Sequence, residues 1–431
     1  MSEWKEYKLE DVCLKITDGS HFSPKVDPNG KRIIGTVKDM LDYSFNIENC
    51  KRINEEEYEK LLKNDCRPIH NDILFSKDGT IGKVIVFDFE LDIVLLSSIA
   101  IIRPNTSLIN PRFLAYILKS KKSQDEINEN YKSGSAIPRV ILRDFKRFPI
   151  SIPDLPTQTA IAEILSSLDD KIELNNKINQ ELENLAQTLF KQWFIDFEFP
   201  NENGEPYKSS GGEIVESELG EIPKGWKVKT FADVVQVIDC LHSKKPIIFN
   251  ESTGYLFLQL RNIKDNGLLD LTQKCWISKE DYQKWISRIE VKEGDFVITN
   301  VGRSGAVSRI GKGVKAAIGR NMTALRLKDN FQFNGFFSVL ILSDFMKKEI
   351  NSKLDSGTIL DALNVKNIPK LRFTFPQKLE LPIEFETIVR PIWDRMETNL
   401  IENNSLIDTR DYLLPKLISG ELEVSQIQTA S

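Results

Sequence analysis

Hydrophobic residues recur at intervals of three and four along two long stretches of the chain, at about 157–194 and 383–415. This spacing is typical of amphipathic helices, and its repetition over several heptads is typical of a coiled coil. Two helices of roughly 35 residues would each be about 50 Å long at 1.5 Å per residue. The residues predicted to pack along the two stripes are Leu168, Ile172, Leu182, Ala186, Leu189 and Trp193 in the first and Val389, Trp393, Met396, Leu400, Ile407 and Leu414 in the second.

Asparagines interrupt both stripes, at Asn175 and Asn179 in the first and at Asn403 in the second. A buried asparagine would fix the register and pairing of the helices at some cost in stability. A solvated asparagine beside an irregular seam would fit the same pattern. The sequence leaves both interpretations open.

Short apolar runs that lead into a Gly-x-x-Gly turn occur twice and indicate an internal duplication. Residues 71–76 precede the turn at 78–83, and residues 294–299 precede the turn at 301–306. The offset stays close to 223 positions, as between Gly79 and Gly302. Trp4 and Trp226 begin the two copies. Because the copies have little sequence identity, we expect them to serve different tasks.

These patterns divide the chain into five segments and predict an α+β fold. A first globular domain covers 1–154, a helix covers 155–200, and a connector with four glycines and two prolines covers 201–224. A second globular domain covers 225–376. A second helix and a polar tail cover 377–431, and we expect the tail after Gly420 to fray.

The distribution of charge changes the meaning of the composition. The 431 residues carry a formal net charge of −5, which by itself argues against binding nucleic acid. Residues 225–375, however, have 24 basic and 15 acidic side chains, and residues 1–150 have 24 and 23. The helices and connector therefore hold the excess of acid, and the globular domains are neutral to basic.

Basic residues cluster near the glycine turns. Residues 119–147 contain eight basic and four acidic side chains, and the stretch 303–326 contains six basic side chains and no acid. The second cluster favours phosphate contact, whereas a solvated face explains the first nearly as well. The candidate DNA contacts are Ser76, Lys77, Thr80, Lys83, Lys132 and Arg139 in the first domain and Asn300, Arg303, Ser304 and Arg320 in the second. For any single one of them, a core or solvent role is the alternative.

Motifs of catalysis are missing from the sequence. It has no phosphate loop, no G-x-G-x-x-G, no G-x-S-x-G and no H-E-x-x-H. The five cysteines and three histidines are too scattered for a metal site, and we expect His21 and His242 to be exposed and to hydrogen-bond locally. The longest apolar stretch, 93–102, is half a membrane span, so we expect a cytoplasmic protein without membrane partners.

The order of these motifs resembles the specificity (S) subunits of type I restriction-modification enzymes. The clearest element is residues 155–172, which look like the start of that family's central conserved helix. The runs 17–21, 78–83 and 414–420 are also similar to the family. In the second copy, residues 381–386 lack the glutamine of Thr157-Gln-Thr159, which leaves the register of the second helix open.

The resemblance implies two target-recognition domains joined by two long antiparallel helices with an internal pseudo-twofold repeat. Each domain would read one half of an asymmetric bipartite site in double-stranded DNA. The helices would act as a ruler and would help to dock two methyltransferase (M) subunits, with restriction (R) subunits joining for cleavage. S-adenosylmethionine, ATP and Mg²⁺ would bind to those partners, and this chain would hold no cofactor, no metal and no catalytic residue.

Other functions stay open at this point. The chain would be a non-enzymatic scaffold if its basic domains bound acidic proteins. It would serve a related type II-like methyltransferase-nuclease if that enzyme used the same kind of subunit. It would be a self-contained enzyme if its site followed no familiar motif.

Overall fold

The computed structural model describes residues 3–134, 138–264, 266–355 and 361–428. In the first half of the chain the strands are β1 Lys5–Lys8, β2 Cys13–Asp18, β3 Arg32–Gly35, β4 Lys51–Ile53, β5 Asp72–Ser76, β6 Val84–Phe87, β7 Ile93–Leu95, β8 Ile99–Pro104, β9 Lys132–Ser133, β10 Arg139–Val140 and β11 Pro149–Ile152. The helices there are α1 Glu55–Leu62, α2 Pro111–Lys119, α3 Lys121–Glu126, α4 Leu142–Phe145 and α5 Leu155–Phe190.

The second half repeats this order. Its strands are β12 Ile214–Ser217, β13 Gly220–Pro223, β14 Trp226–Thr230, β15 Val235–Asp239, β16 Phe257–Leu258, β17 Phe296–Thr299, β18 Val307–Arg309, β19 Ala317–Ile318, β20 Met322–Leu327, β21 Leu354–Asp355, β22 Ala362–Leu363 and β23 Arg372–Pro376. Its helices are α6 Phe231–Val234, α7 Lys279–Trp285, α8 Asn334–Leu342, α9 Asp344–Asn351, α10 Glu380–Ser419 and α11 Val424–Gln428. Short 3₁₀ turns lie at Leu9–Val12, Val37–Asp39, Leu260–Asn262 and Val365–Lys370, and π turns at Ile127–Tyr131 and Lys191–Ile195.

The chain forms two units. The first contains residues 1–173 and 405–431, and the second contains residues 174–404. The sequence boundaries had given the two long helices segments of their own, whereas the observed units each include part of α5 and part of α10.

An antiparallel sheet of four strands forms the centre of the first unit, in the order β2-β8-β5-β6. The β-branched and aromatic run of β5 favours a strand, and all five of its residues are buried. Strand β1 pairs with β11, so the start of the domain is tied to the strand that leads into α5. The apolar core on this sheet also contains Ile161 and Leu165 of α5 and Leu417 of α10.

The second unit has the same sheet, in the order β15-β20-β17-β18, and the same pair of first and last strands, β14 and β23. Phe296 lies opposite Leu325, and in the first unit Ile73 lies opposite Ile102. Both members of the pair are displaced by 223 positions. The predicted duplication is therefore confirmed down to the strand register.

A buried ion pair is repeated with the same offset. Arg103 donates two hydrogen bonds of 2.8 Å to the Asp72 carboxylate, and Arg326 donates bonds of 2.7 and 2.6 Å to Asp295. The contact with the carboxylate raises the pKa of both guanidinium groups. Bidentate pairing of this kind fixes the orientation of the two strands that carry it.

Both predicted helices are present, and each is slightly longer than the hydrophobic pattern indicated. Helix α5 continues into the π turn Lys191–Ile195, and α10 contains Pro391, which has no backbone N–H to donate. Half of the predicted packing residues are buried, namely Ile172, Ala186, Trp193, Val389, Trp393 and Met396, whereas Leu168, Leu182, Leu189, Leu400, Ile407 and Leu414 are partly exposed. Among the described residues, no helix is long and apolar enough to cross a membrane.

The asparagines of the long helices form a buried ladder in the second unit. Asn175 Nδ2 donates to Asn403 Oδ1 at 2.9 Å, and Asn399 Nδ2 donates to Asn179 Oδ1 at 2.8 Å. Asn175 and Asn399 are fully buried. The pairs run in opposite directions along the chain, so these parts of α5 and α10 are antiparallel. The alternative of solvated asparagines is wrong, and Asn399 was not predicted as a member.

A residue near the start of each long helix holds the N-terminus of a helix in its own unit. Gln158 Oε1 accepts from the backbone N–H of Asn110, next to α2, at 2.9 Å. The Glu386 carboxylate accepts from the backbone N–H groups of Gly335 and Phe336 in α8 at 2.8 and 2.9 Å. Glu386 therefore occupies the position equivalent to Gln158, which lies 228 residues earlier in the sequence. This contact sets the register of α10, which the sequence had left open.

The connector contains a hairpin, and the tail is more ordered than predicted. Strands β12 and β13 form a hairpin within 201–224, and Phe199 stacks on Trp226 with 5.5 Å between ring centroids. After Gly420, Leu422 and Val424 pack against the core of the first unit, and α11 follows. The prediction of a frayed tail is therefore wrong as far as Gln428, because these apolar side chains find a core.

Candidate nucleic-acid interface

The glycine turn of the first unit follows β5 and lies beside the hairpin β9–β10. Gly79 and Gly82 have φ angles of 75° and 98°, which favour glycine. Arg139 pairs with Asp78 through an ion pair of 3.1 Å and a β-bridge. The turn is thereby held against the strands that carry Lys132 and Arg139. Thr80, Lys132 and Arg139 are exposed and lie in one region of the surface.

Three other candidates of the first unit have structural roles. Ser76 is fully buried, and its Oγ accepts from the backbone N–H of Lys83 at 2.7 Å. The buried Lys77 ammonium lies 3.3 Å from the carboxylates of Asp18 and Asp78. Lys83 Nζ donates to the Met40 carbonyl at 2.5 Å. We therefore withdraw Ser76 and Lys77 as DNA contacts, because their polar atoms face the interior. Lys83 is half-buried and is not withdrawn.

The candidates of the second unit also include both buried and exposed side chains. Asn300 is buried, donates to the Leu363 carbonyl at 3.0 Å and accepts from Thr323 Oγ1 at 2.9 Å, so it is withdrawn as well. Ser304 Oγ donates to the Asp361 carbonyl at 2.7 Å and fastens the turn to the segment before β22. Arg303 and Arg320 remain exposed and are the candidates that DNA can reach.

Backbone carbonyls position both of these arginines. Arg303 Nη1 donates to the Ile263 carbonyl at 3.0 Å, and Arg320 Nε donates to the Ser243 carbonyl at 2.7 Å. A guanidinium has five N–H donors, so the bond from Arg320 Nε leaves the Nη groups of Arg320 for a base edge or a phosphate. Because this bond reduces the rotamer freedom of the side chain, less entropy is lost when DNA binds.

Two histidines occupy equivalent places after the first strand of each sheet. His21 Nε2 lies 3.1 Å from Asp18 Oδ2, and His242 Nε2 lies 2.8 Å from Asp239 Oδ2. Their side chains are 77% and 62% exposed. His242 therefore hydrogen-bonds locally, as the sequence had indicated, and His21 lies within ion-pair distance of its aspartate.

Asp239, Cys240 and His242 bring possible metal ligands within 4.8 Å of one another. Arg288 Nη1 lies 3.7 Å from Asp239 Oδ2 and also donates to the Cys240 carbonyl at 3.2 Å. Burial raises the pKa of the Cys240 thiol, which opposes the thiolate that a metal needs. These charges disfavour a cation there.

The chain contains two copies of one α+β domain. Each copy has exposed cations around a glycine turn and leads into a long helix. This arrangement defines a two-domain recognition protein. The family model described as type I restriction modification DNA specificity domain matches residues 1–184 and 223–397, and the chain belongs to this family.

Relatives extend over nearly the whole chain. It is 26% identical to the type I restriction enzyme HindI specificity subunit of Haemophilus influenzae, over 98% of this chain and 100% of that one. It is 27% identical to the MjaIX specificity subunit of Methanocaldococcus jannaschii, over 99% and 95%. A crystal structure of a type I S subunit from M. genitalium has a TM-score of 0.55 at 17% identity and covers 96% of both chains, which supports the fold.

Proposed function

We propose that this chain is the non-catalytic specificity subunit of a type I restriction-modification complex in the cytoplasm. The observation that carries the proposal is the coincidence of the two family segments with two units of identical sheet register. Each unit presents exposed basic side chains beside its glycine turn, as contact with the DNA backbone requires. Each would read one half of a bipartite site.

The two half-sites should differ in sequence. At equivalent positions of the two turns, 223 apart, the exposed Thr80 of the first unit corresponds to the exposed Arg303 of the second. A threonine and an arginine present different donors and acceptors to a base pair. The site as a whole is therefore asymmetric.

The partners would be double-stranded DNA, two M subunits and the R subunits. S-adenosylmethionine, ATP and Mg²⁺ would be bound by those subunits, which would carry out methylation and cleavage. Within the second unit, Leu174 and Leu185 of α5 are 51% and 56% exposed, and Ile383 of α10 is 54% exposed. Apolar side chains at this exposure on long helices suit a protein interface, and we assign them to M-subunit docking.

The test is to express this chain with the M subunits encoded beside it and to sequence the modified adenines of the host genome. We expect one asymmetric bipartite motif. Replacing residues 225–375 with the matching domain of another S subunit should change one half of the motif and leave the other unchanged. Methylation without sequence preference would overturn the proposal, and methylation by this chain alone would contradict its non-catalytic role.

A further inference from the structure

In each unit, the segment that follows the first sheet strand carries a second set of exposed side chains beside the glycine turn. These two segments, residues 19–26 and 240–249, are called the histidine loops here. They contain His21, Phe22 and Lys25 in the first unit and His242, Lys244 and Lys245 in the second. We propose that both histidine loops contact DNA directly and read base pairs of the two half-sites. This inference rests on the proposed function and assigns further residues to it.

The two loops start from equivalent backbone positions. Asp18 lies opposite Ala100 and Asp239 lies opposite Thr323 in the sheets, and Ala100 and Thr323 are 223 positions apart. In each case a histidine follows the aspartate by three residues, and its Nε2 lies within 3.1 Å of the carboxylate. The same device in two domains of low identity indicates a common use.

Both loops lie next to the turn that already holds the candidate contacts. In the first unit, Asp18 binds His21 and also lies 3.3 Å from Lys77, the residue just before the turn. In the second unit, Arg320 donates to the carbonyl of Ser243 within the loop. The carbonyl of the next residue, Asn321, accepts from the backbone N–H of Asn300, the residue just before the turn, at 2.8 Å. A duplex that reaches the turn therefore passes the histidine loop.

The base of the first loop is held firmly by backbone bonds, whereas the tips of both loops are open. The N–H groups of Gly19 and Ser20 donate to the carbonyls of Ile99 and Leu95, and a Cβ at Gly19 would lie 2.3 Å from the Leu95 oxygen. Beyond this point Phe22 is 55% exposed, and Ile247 in the second loop is 72% exposed. Large apolar side chains at such exposure on a basic loop call for a partner.

The chemistry of the loops fits duplex DNA. Neither segment contains a carboxylate, and each carries at least one exposed lysine for phosphate contact. When the aspartate holds histidine Nε2–H, Nδ1 is left as an acceptor, which matches the amino group of adenine or cytosine in the major groove. The exposed Phe22 and Ile247 suit contact with a thymine methyl group.

The experiment uses the complete complex with its M subunits and a duplex that carries the motif methylated by the parent complex. Lys244→Ala combined with Lys245→Ala should weaken binding at least tenfold. It should also make the slope of log affinity against log salt shallower by about 2, one unit for each lost phosphate contact. The matched control is Lys279→Ala with Lys284→Ala, two exposed lysines of α7 outside the loop. This control should keep the affinity of the parent complex.

His242→Ala and the milder His242→Gln should relax discrimination about tenfold at one base pair of one half-site. His21→Ala should do the same in the other half-site only, and Leu14→Ala, an exposed residue of β2, should leave the motif unchanged. If the lysine and histidine variants keep the affinity, salt slope and motif of the parent, the inference fails although the proposed function stands. A parent complex that methylates without preference would instead remove the proposed function itself.

Discussion

At the scale of single residues, Glu183 in α5 is a carboxyl group whose surroundings oppose its charge. Burial raises the pKa of Glu183 to about 7, and the nearby Lys347 offsets only part of this effect. Because the folded-state pKa lies above the unfolded value, the folded chain retains a proton that the unfolded chain loses. Stability should therefore fall as the pH rises from the unfolded pKa to about 7.

Glu183→Gln removes this penalty. We expect the variant to be more stable than the parent at pH 8 by about 1–2 kcal/mol, a value reduced for the partial exposure of the side chain. At pH 4.5 the two should unfold alike. Urea unfolding at both pH values measures the difference, with Glu181→Gln on the exposed side of the same helix as the control. Equal stability at pH 8 would contradict the prediction.

The sequence was enough to predict which candidates are exposed. It was not enough to predict that the neighbouring candidates point their side chains into the interior. Thr80 and Arg303 follow from the rule that glycine turns lie at the surface. Ser76 is the last residue of a strand buried on both faces, where the alternation of polar and apolar residues disappears. The buried side chains of Asn300 and Lys77 contact polar groups on other strands. Those strands lie more than 20 residues away in the sequence, so the local pattern does not reveal the contacts.

At the scale of elements, the asparagine ladder in the second unit gives α5 and α10 a polar seam. Replacing only Asn403 by leucine should leave one N–H of the buried Asn175 amide unpaired, while the other still donates to Glu402, and should cost about 1–3 kcal/mol of unfolding free energy. Replacing Asn175 and Asn403 together by leucine should recover most of this loss, because no buried amide is then left unpaired. A double-mutant cycle by urea unfolding measures the coupling. Additive losses would mean that the bond is not the source of the effect.

The helices themselves were predictable from periodicity, whereas their register depended on contacts that the sequence alone does not display. Sheet residues of the two copies are 223 positions apart, as in Asp72 and Asp295, but Gln158 and Glu386 are 228 apart. The shift is visible only because both side chains hold the N-terminus of a helix. Asn175 and Asn403 are also 228 apart, so this pair of the ladder joins equivalent positions of the two repeats, whereas Asn179 and Asn399 are 220 apart.

At the scale of the whole molecule, the charge differs between the globular domains and the segments that join them. The acidic excess of the helices and connector explains how a chain with a net charge of −5 contains a domain with 24 basic and 15 acidic side chains. The acidic segments leave the basic surfaces around the two turns as the places where a phosphate backbone is attracted. The net charge of the complete chain hides this contrast, because it is a sum over segments of opposite charge.

The length of the helices should determine the gap between the two half-sites. The units divide α5 after Glu173 and α10 after Asn404, and these points lie at matching heights of the antiparallel pair because Asn175 bonds to Asn403. Inserting seven residues at both points adds about two turns and keeps every side-chain pair within each unit in phase. At 1.5 Å per residue this adds about 10 Å, or roughly three base pairs at 3.4 Å each.

We therefore expect the double insertion to methylate a motif with the same two half-sites and a gap about three base pairs longer, as read by sequencing modified adenines. Insertion after Glu173 alone serves as the control, since it leaves the partner helix unmatched and should reduce methylation of any motif. A double-insertion complex that assembles and still methylates the original gap would show that the helices do not set the spacing. A change in the half-sites themselves would place base readout in the helices, contrary to its assignment to the turns and histidine loops.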